Sequence, residues 1–298
     1  MQVPNPESGT TKQLTSLILP AYNAEARVER TWHELKSFLR SAPGHWEVLF
    51  ICDGCTDGTP DRLAELTRSE AHRVRILCHQ PNRGKGHAVR QGLLAARGAW
   101  RVFTDIDLAY GFDDILRLVQ TLQGGADVAI ASRYHPQSRV TLPPRLQGYA
   151  YRRYLQSLVF SVLVRLLLPV AQKDTQAGLK GLSARAADVV LPHLRCCGFE
   201  FDCELLTACA YFSLQVVEVP VCVRYEDTAS TTSFRSVARM IGELWKIRRT
   251  WRKRALEEAT GAIANGSLAH PVRATSEPLA ATMVDPRSSI PLGSYCGR

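Results

Sequence analysis

The stretch Arg101-Val102-Phe103-Thr104-Asp105-Ile106-Asp107 sets the reading of the whole chain. Arg101 to Thr104 is apolar except at its ends, as a short buried strand is. The chain then presents two carboxylates two residues apart. Like charges at one strand end are costly to hold together unless something positive neutralises them. A divalent cation with hard oxygen ligands does so, and Mg²⁺ or Mn²⁺ suits such a pair. A lone D-x-D is a weak signal, because surface acidic pairs are common. Beyond a buried strand it carries more.

The surroundings supply that context. Ser16 to Pro20 reads as a strand, followed by a helix from Glu25 to Leu39. Glu47 to Cys52 is a second strand, and Pro60 to Arg68 a helix with Pro in its first turn. Val74 to Cys78 is a third strand, followed by a helix over His87 to Ala96. After the fourth strand come a helix from Asp113 to Leu122 and a fifth strand from Asp127 to Ala131. Continuous apolar strands alternating with helices predict an α/β fold: a Rossmann-like, mostly parallel central sheet with helices on both faces. In such sheets ligands bind beyond the carboxyl ends of the strands.

The second half differs. Tyr151, Tyr154, Leu155, Leu158, Val159, Val162, Leu163 and Leu166 recur at helical spacing, predicting an amphipathic helix over 149–168. Short helices follow near Ser183 to Leu191 and Glu204 to Phe212, with a strand from Gln215 to Val223 between the second of them and the chain's last helix. That helix, about Ser233 to Arg254, carries Phe234, Val237, Ile241, Leu244, Trp245 and Trp251 on one side. Arg235, Arg239, Lys246, Arg248, Arg249, Arg252, Lys253 and Arg254 lie opposite. The organisation expected is a flexible N-terminus over 1–13, an α/β domain over 14–230, a basic amphipathic helix over 231–256 and a disordered tail over 257–298.

Across 298 residues, 45% are hydrophobic and 22% charged, which excludes collagen, a mainly disordered chain and a polytopic membrane protein. Lys and Arg exceed Asp and Glu by 37 to 28, a net charge of +9 that favours anionic partners. The nine cysteines are odd in number and scattered, and residues 1–13 lack an apolar signal region; reduced thiols in a cytoplasmic setting are expected. The longest apolar run, Leu158 to Ala171, is broken by Arg165 and Pro169, so no membrane-spanning helix is expected.

Two further clusters fall at strand ends. Asp53-Gly54-Cys55-Thr56-Asp57-Gly58-Thr59 follows the second strand; taken alone, it reads first as a turn with a helix-capping Asp or Thr. Asn82-Arg83-Gly84-Lys85-Gly86-His87 follows the third strand and opens a helix, where backbone N–H groups and Lys85 attract phosphate; a solvated basic loop is the equal alternative. It is not a Walker A motif, which needs longer spacing and a Ser or Thr after the Lys.

These segments together resemble family 2 glycosyltransferases of the GT-A fold, and within them the dolichyl-phosphate glucosyltransferases and dolichol-phosphate mannose synthases. The resemblance rests on Leu19 to Glu25, Asp53 to Thr59, Asn82 to Gly92 and Thr104 to Leu108. It extends through Ala131-Ser132-Arg133, Asp174 to Gly178 and Phe199 to Leu205. It implies that Pro20, Tyr22, Glu25 and Asp53 line the nucleotide base and ribose, that Lys85 lies near the donor diphosphate, and that Asp105 and Asp107 hold the metal. It further implies that Arg133 meets a lipid phosphate, assisted by Arg153 and Ser157, with Asp174 and Gln176 near the transferred sugar. The sequence departs from the family pattern in having Ala24 after Asn23, with Glu25 next, and Cys55 where Ser is usual.

The implied reaction moves a hexose, with inversion, from UDP-glucose or GDP-mannose onto a polyprenyl phosphate. A phosphate acceptor is already anionic near neutral pH and needs little help from a base. One alternative is a soluble or glycolipid hydroxyl acceptor, with Asp174 or Asp202 as base. Another is a non-catalytic nucleotide-sugar-binding or basic-helix adaptor. The basic last helix fits an anionic membrane surface, hence a peripheral protein on the cytoplasmic face of a membrane, with a membrane-anchoring protein as a further partner. No nucleic-acid module accompanies it. Cys52-Asp53-Gly54-Cys55 reads as part of the glycosyltransferase pattern rather than a redox motif, and the cysteines from 196 to 209 lack zinc spacing. No histidine pairing that would ligate a metal is evident; His87 alone stands in a suggestive loop.

Overall fold

The computed structural model describes the backbone of residues 13–141, 147–224 and 234–264, with side chains over 13–141, 157–223 and 241–258. The strand–helix alternation is realised as β1 (Leu14–Ala21), α1 (Glu25–Ser41), β2 (His45–Asp53), α2 (Thr59–Thr67), β3 (Val74–His79), α3 (Lys85–Ala95), β4 (Trp100–Phe103), α4 (Phe112–Gln123) and β5 (Val128–Ser132). The chain continues with β6 (Arg139–Thr141), α5 (Gln147–Leu167), β7 (Lys180–Ser183), α6 (Ala184–Val190), α7 (Phe201–Tyr211), β8 (Val216–Pro220), β9 (Cys222–Arg224) and α8 (Phe234–Ala264).

Seven strands form one sheet in the order β3-β2-β1-β4-β7-β5-β8. All neighbouring pairs are parallel except those made by β7, which runs antiparallel to both β4 and β5. Side chains alternate between the two faces with a period of two. Leu17 and Leu19 join Val28, Trp32, Leu63 and Ile115 from α1, α2 and α4 on one face. Ile18 joins Val89, Leu93, Phe160, Ala187 and Leu205 from α3, α5, α6 and α7 on the other. Burial on both faces explains why the strands read as continuous apolar runs.

Several expectations need correction. The single strand expected over Gln215 to Val223 is two, β8 and β9, in different sheets, because the chain breaks ranks at Val221. There the Val221 N–H donates to Ser138 Oγ and its carbonyl accepts from the Arg139 N–H, steering the chain into a small parallel pair with β6. Strands β6 and β7 were not anticipated. On α5, Phe160 and Val164 pack inward, while Leu158, Val159, Val162 and Leu166 of the apolar stripe are exposed; Tyr151, Tyr154 and Leu155 lie outside the described side chains. The helix is apolar nearly all round at that end, so its periodicity could not select a face.

Among the described side chains of α8 the buried positions are Leu244, Ile247 and Trp251; Trp245, expected in that stripe, is 57% exposed, and Phe234 and Val237 lie outside the described side chains. Position 247 lies three after 244 and four before 251, whereas 245 falls on the neighbouring face. Lys246, Arg249, Arg252 and Lys253 are exposed, as the basic face requires. The helix runs eight residues beyond position 256, into the stretch read as a disordered tail; residues 265–298 lie outside the described ones. The main compact unit closes at Lys253, and the last turns of α8 belong to a second unit. Among the described residues, no helix is long and apolar enough to cross a membrane.

Candidate active site

The sheet order places the carboxyl ends of β2, β1 and β4 side by side, the crevice where a doubly wound sheet takes ligands. Because β7 runs backwards, Lys180 at its start pairs with Phe103 at the end of β4. The segment from Asp174 to Gly178 therefore enters from the ligand side. Arg133, just after β5, reaches the same edge.

Lys85 opens α3 and forms an ion pair with Asp105 Oδ1. Burial works to lower the Lys85 pKa. Asp105, then Asp202, then the hydrogen bond to Asp105 and the charge of Asp107 outweigh it and hold the ammonium above its ordinary range. Asp107 makes no ion pair among the described residues; its Oδ1 accepts the Ala109 N–H at 3.2 Å. Its side chain is open to solvent, yet partial desolvation by its neighbours, and then the charge of Asp105, raise its carboxyl above the usual range. Gly178 backs onto Asp105: a Cβ there would lie 2.2 Å from Asp105 Oδ2. Two hard carboxylates, one without a cationic partner, backed by a glycine that leaves room, fit a divalent cation such as Mg²⁺ or Mn²⁺.

Around this centre the loops are tied together. Asp53 is buried, and its carboxylate accepts the Arg83 and Gly84 N–H groups at 2.8 Å each. That holds the loop leading to Lys85. Gly84 has φ +102°, and a Cβ there would sit 2.6 Å from the Cys197 carbonyl, so the turn requires glycine. Glu25 Oε2 accepts the Gly58 N–H at 2.9 Å, and Asn23 holds Thr56, which locks the β1 and β2 end loops together. Pro20 is the penultimate residue of β1, and Tyr22, just past its end, is 53% exposed.

A second charged centre lies beyond β5. Arg133 grips fully buried Asp174 with Nε–Oδ2 at 2.7 Å, Nη2–Oδ1 at 2.8 Å and its own N–H at 2.9 Å. Burial opposes ionisation of Asp174, but the hydrogen bonds and charge of Arg133 hold its carboxyl below the usual range. The Gln176 N–H donates to the same carboxylate at 3.3 Å. Ser157 Oγ accepts the Tyr134 hydroxyl at 3.1 Å. Arg153 belongs to α5, but its side chain lies outside the described ones.

The structure thus joins Lys85 to Asp105 and Arg133 to Asp174, and turns Glu25 and Asp53 toward backbone N–H groups of neighbouring loops. Sequence reasoning missed Lys180. Fully buried, it donates to Asp202 Oδ1 at 2.7 Å and the Ala177 carbonyl at 2.5 Å beneath the site. It missed as well the stacking of His79 on His87, with ring centroids 4.7 Å apart. A strand residue and a helix residue eight positions apart show no such contact by spacing. The Cys52 thiol is buried, and desolvation, then Cys78 and Cys55 nearby, push its pKa up, which suits an inert core thiol and not a redox motif.

This sheet, with its acidic strand end and basic helix start, is the GT-A glycosyltransferase fold. Glucosyl-3-phosphoglycerate synthase from Mycobacterium tuberculosis, crystallised with Mn²⁺ and UDP, shares it at a TM-score of 0.54 and 18% identity over 80% of each chain. The chain belongs to glycosyl transferase family 2, whose family profile matches residues 16–183. Dolichyl-phosphate beta-glucosyltransferase of Saccharomyces cerevisiae is 30% identical over 69% of this chain. The Drosophila melanogaster protein of that name is 32% identical over 78% of this chain and 73% of its own length. The chain spans 65% of the yeast protein's length.

Proposed function

We propose that this chain is an inverting hexosyltransferase. It moves a hexose from a nucleotide sugar, UDP-glucose ahead of GDP-mannose, onto a polyprenyl phosphate, giving a β-linked lipid phosphate sugar. The names of the yeast and fly relatives support the acceptor and the glucosyl group. The observation that carries the reading is the cluster of Lys85, Asp105 and Asp107 at the carboxyl end of β4.

Asp105 and Asp107 are the residues that would hold Mg²⁺ or Mn²⁺. When bound, that ion supplies positive charge to the leaving nucleotide diphosphate. Lys85 adds a cation at the start of α3, where the loop N–H groups also favour phosphate. Pro20, Tyr22, Glu25 and Asp53 form the floor and rim for base and ribose. Arg133, oriented by Asp174, offers its guanidinium to the acceptor phosphate; Arg153 and Ser157 of α5 assist, and Gln176 stands by the sugar.

A hydroxyl acceptor would need a base. Both candidates are already engaged: Asp174 by Arg133 and Asp202 by Lys180. A lipid phosphate needs none. Helix α5 presents exposed apolar residues and α8 exposed basic ones, the two helices bury Phe160, Val164, Leu244 and Ile247 in one core, and Arg248 donates to the Leu167 carbonyl at 3.2 Å. Together they support peripheral docking on the cytoplasmic, anionic face of a membrane, with a membrane-anchoring protein as a further partner. The test is transfer of radiolabelled sugar from UDP-glucose and GDP-mannose to polyprenyl phosphate, with and without EDTA. Lipid-phosphate product that disappears with EDTA is expected. Transfer to hydroxyl acceptors alone would overturn the reading.

A further inference from the structure

We infer that Asp53, His79 and His87 form a binding site for a borderline divalent cation, Zn²⁺ being the best fit, separate from the Asp105 and Asp107 pair. Among the described residues this is one group in which three metal-capable side chains converge, with one ligand atom of each within 4.8 Å of the others. The fold builds it from three elements. The register of β2 against β3 sets Asp53 beside His79, and the first turn of α3 brings up His87.

The distances suit a metal. His79 Nε2 lies 2.8 Å from His87 Nδ1 and 3.1 Å from Asp53 Oδ1. Ligands held at ~2.1 Å around a tetrahedral zinc are ~3.4 Å apart, so the two imidazole nitrogens must part by ~0.6 Å and His79 and Asp53 by ~0.3 Å to admit the ion. The surrounding hydrogen bonds point the same way. His79 Nδ1 lies 3.2 Å from the Cys52 carbonyl, an acceptor only, so that nitrogen carries the proton. His79 Nε2 then faces a carboxylate oxygen and His87 Nδ1, a convergence that an N–H···N hydrogen bond from His87 closes in the metal-free chain, with Arg83 Nη1 3.4 Å from His87 Nε2, and that a cation closes when bound. A backbone carbonyl fixing the distal nitrogen is the usual support of a metal-bound histidine. Asp53 is likewise pre-set by the Arg83 and Gly84 N–H groups.

The donor set separates this site from the hard one. Two imidazoles and one carboxylate suit Zn²⁺ over Mg²⁺, and three protein ligands leave a fourth position open. His87 also borders a pocket of about 310 Å³ lined by Arg90, Arg195 and Cys197. A bound ion would pin the ends of β2 and β3 to the first turn of α3, one residue from Gly86 and two from Lys85.

The experiment titrates the EDTA-stripped full chain, carrying Asp105→Asn and Asp107→Asn to remove the hard pair, with Zn²⁺ against a fluorescent chelator and with Co²⁺ by visible absorption. One Zn²⁺ per chain and a Co²⁺ spectrum free of thiolate charge transfer are expected. Adding His79→Gln and His87→Gln should weaken Zn²⁺ binding by at least about 100-fold. A His33→Gln and His45→Gln control should bind as before, and the melting temperature in EDTA checks that every variant is folded. No stoichiometric Zn²⁺, a cobalt–thiolate band, or unchanged affinity in the folded double-histidine variant would each overturn the assignment.

Discussion

Asp107 and Asp174 are two carboxylates at one edge of the sheet with opposite electrostatic settings. Desolvation and Asp105 raise the Asp107 carboxyl, so its ionisation works against the metal-free fold. That cost is absent at acid pH, where the group is protonated folded or unfolded, and appears as the pH climbs past the ordinary carboxylate range. Asp107→Asn should therefore melt above wild type in EDTA at neutral pH, fail to gain stability from Mn²⁺, and lose at least about 100-fold in turnover. Thermal shift and sugar-transfer assays check this. For Asp174 the sign reverses. Arg133 holds its carboxyl low, so it contributes stability above the ordinary carboxylate range, lost as the pH falls through the depressed folded value. Asp174→Asn strands the Arg133 charge and should cost about 3 kcal/mol at neutral pH, a difference that shrinks in urea melts run at progressively lower pH. The acidic pair was legible in the sequence because a strand must precede it and a cation must answer it. The Arg133–Asp174 grip, 41 positions apart in sequence, is set by the tertiary fold alone.

Among the elements, β7 shapes the site more than its four residues promise. Lys180-Gly181-Leu182-Ser183 reads as a loop by composition, since Lys and Gly are poor strand residues. It becomes a central strand because Asp202 and the Ala177 carbonyl satisfy the Lys180 ammonium in the interior, a compensation no local pattern reveals. The long, strongly apolar β1 and β2 had no such dependence and were readable within a residue or two of their ends. The tight approach of the β7 entry to Asp105 yields a sharp expectation. Gly178→Ala should displace the Asp105 carboxylate and weaken Mn²⁺ binding about 10-fold or more, with little change in the EDTA melting curve, because the clash is with the end of a side chain and not with backbone. Calorimetric titration with Mn²⁺ distinguishes that from general unfolding.

For the whole molecule, charge and apolar exposure are concentrated on the helices over one sheet face. Replacing Arg249, Arg252 and Lys253 by Gln removes three exposed cations from α8. At about 1 kcal/mol each near an anionic bilayer, vesicle partitioning should fall by on the order of 100-fold. Flotation with phosphatidylserine vesicles at low salt measures this, and raising the salt should erase the difference. The basic face could be counted from the sequence. The outward face of α5 could not, because its apolar pattern runs nearly all round and only the tertiary core that takes Phe160 and Val164 decides which side is covered.

The seating of Leu244, Ile247 and Trp251 in the same core as the sheet has one more outcome. Many surface-seeking amphipathic segments become ordered only as they meet lipid, and their affinity is discounted by the entropy lost in coiling up. Here that ordering is completed when the domain folds. The bilayer greets a ready-made, stiff platform, so lipid contact should leave the far-ultraviolet dichroism of the protein flat while its tryptophan emission moves.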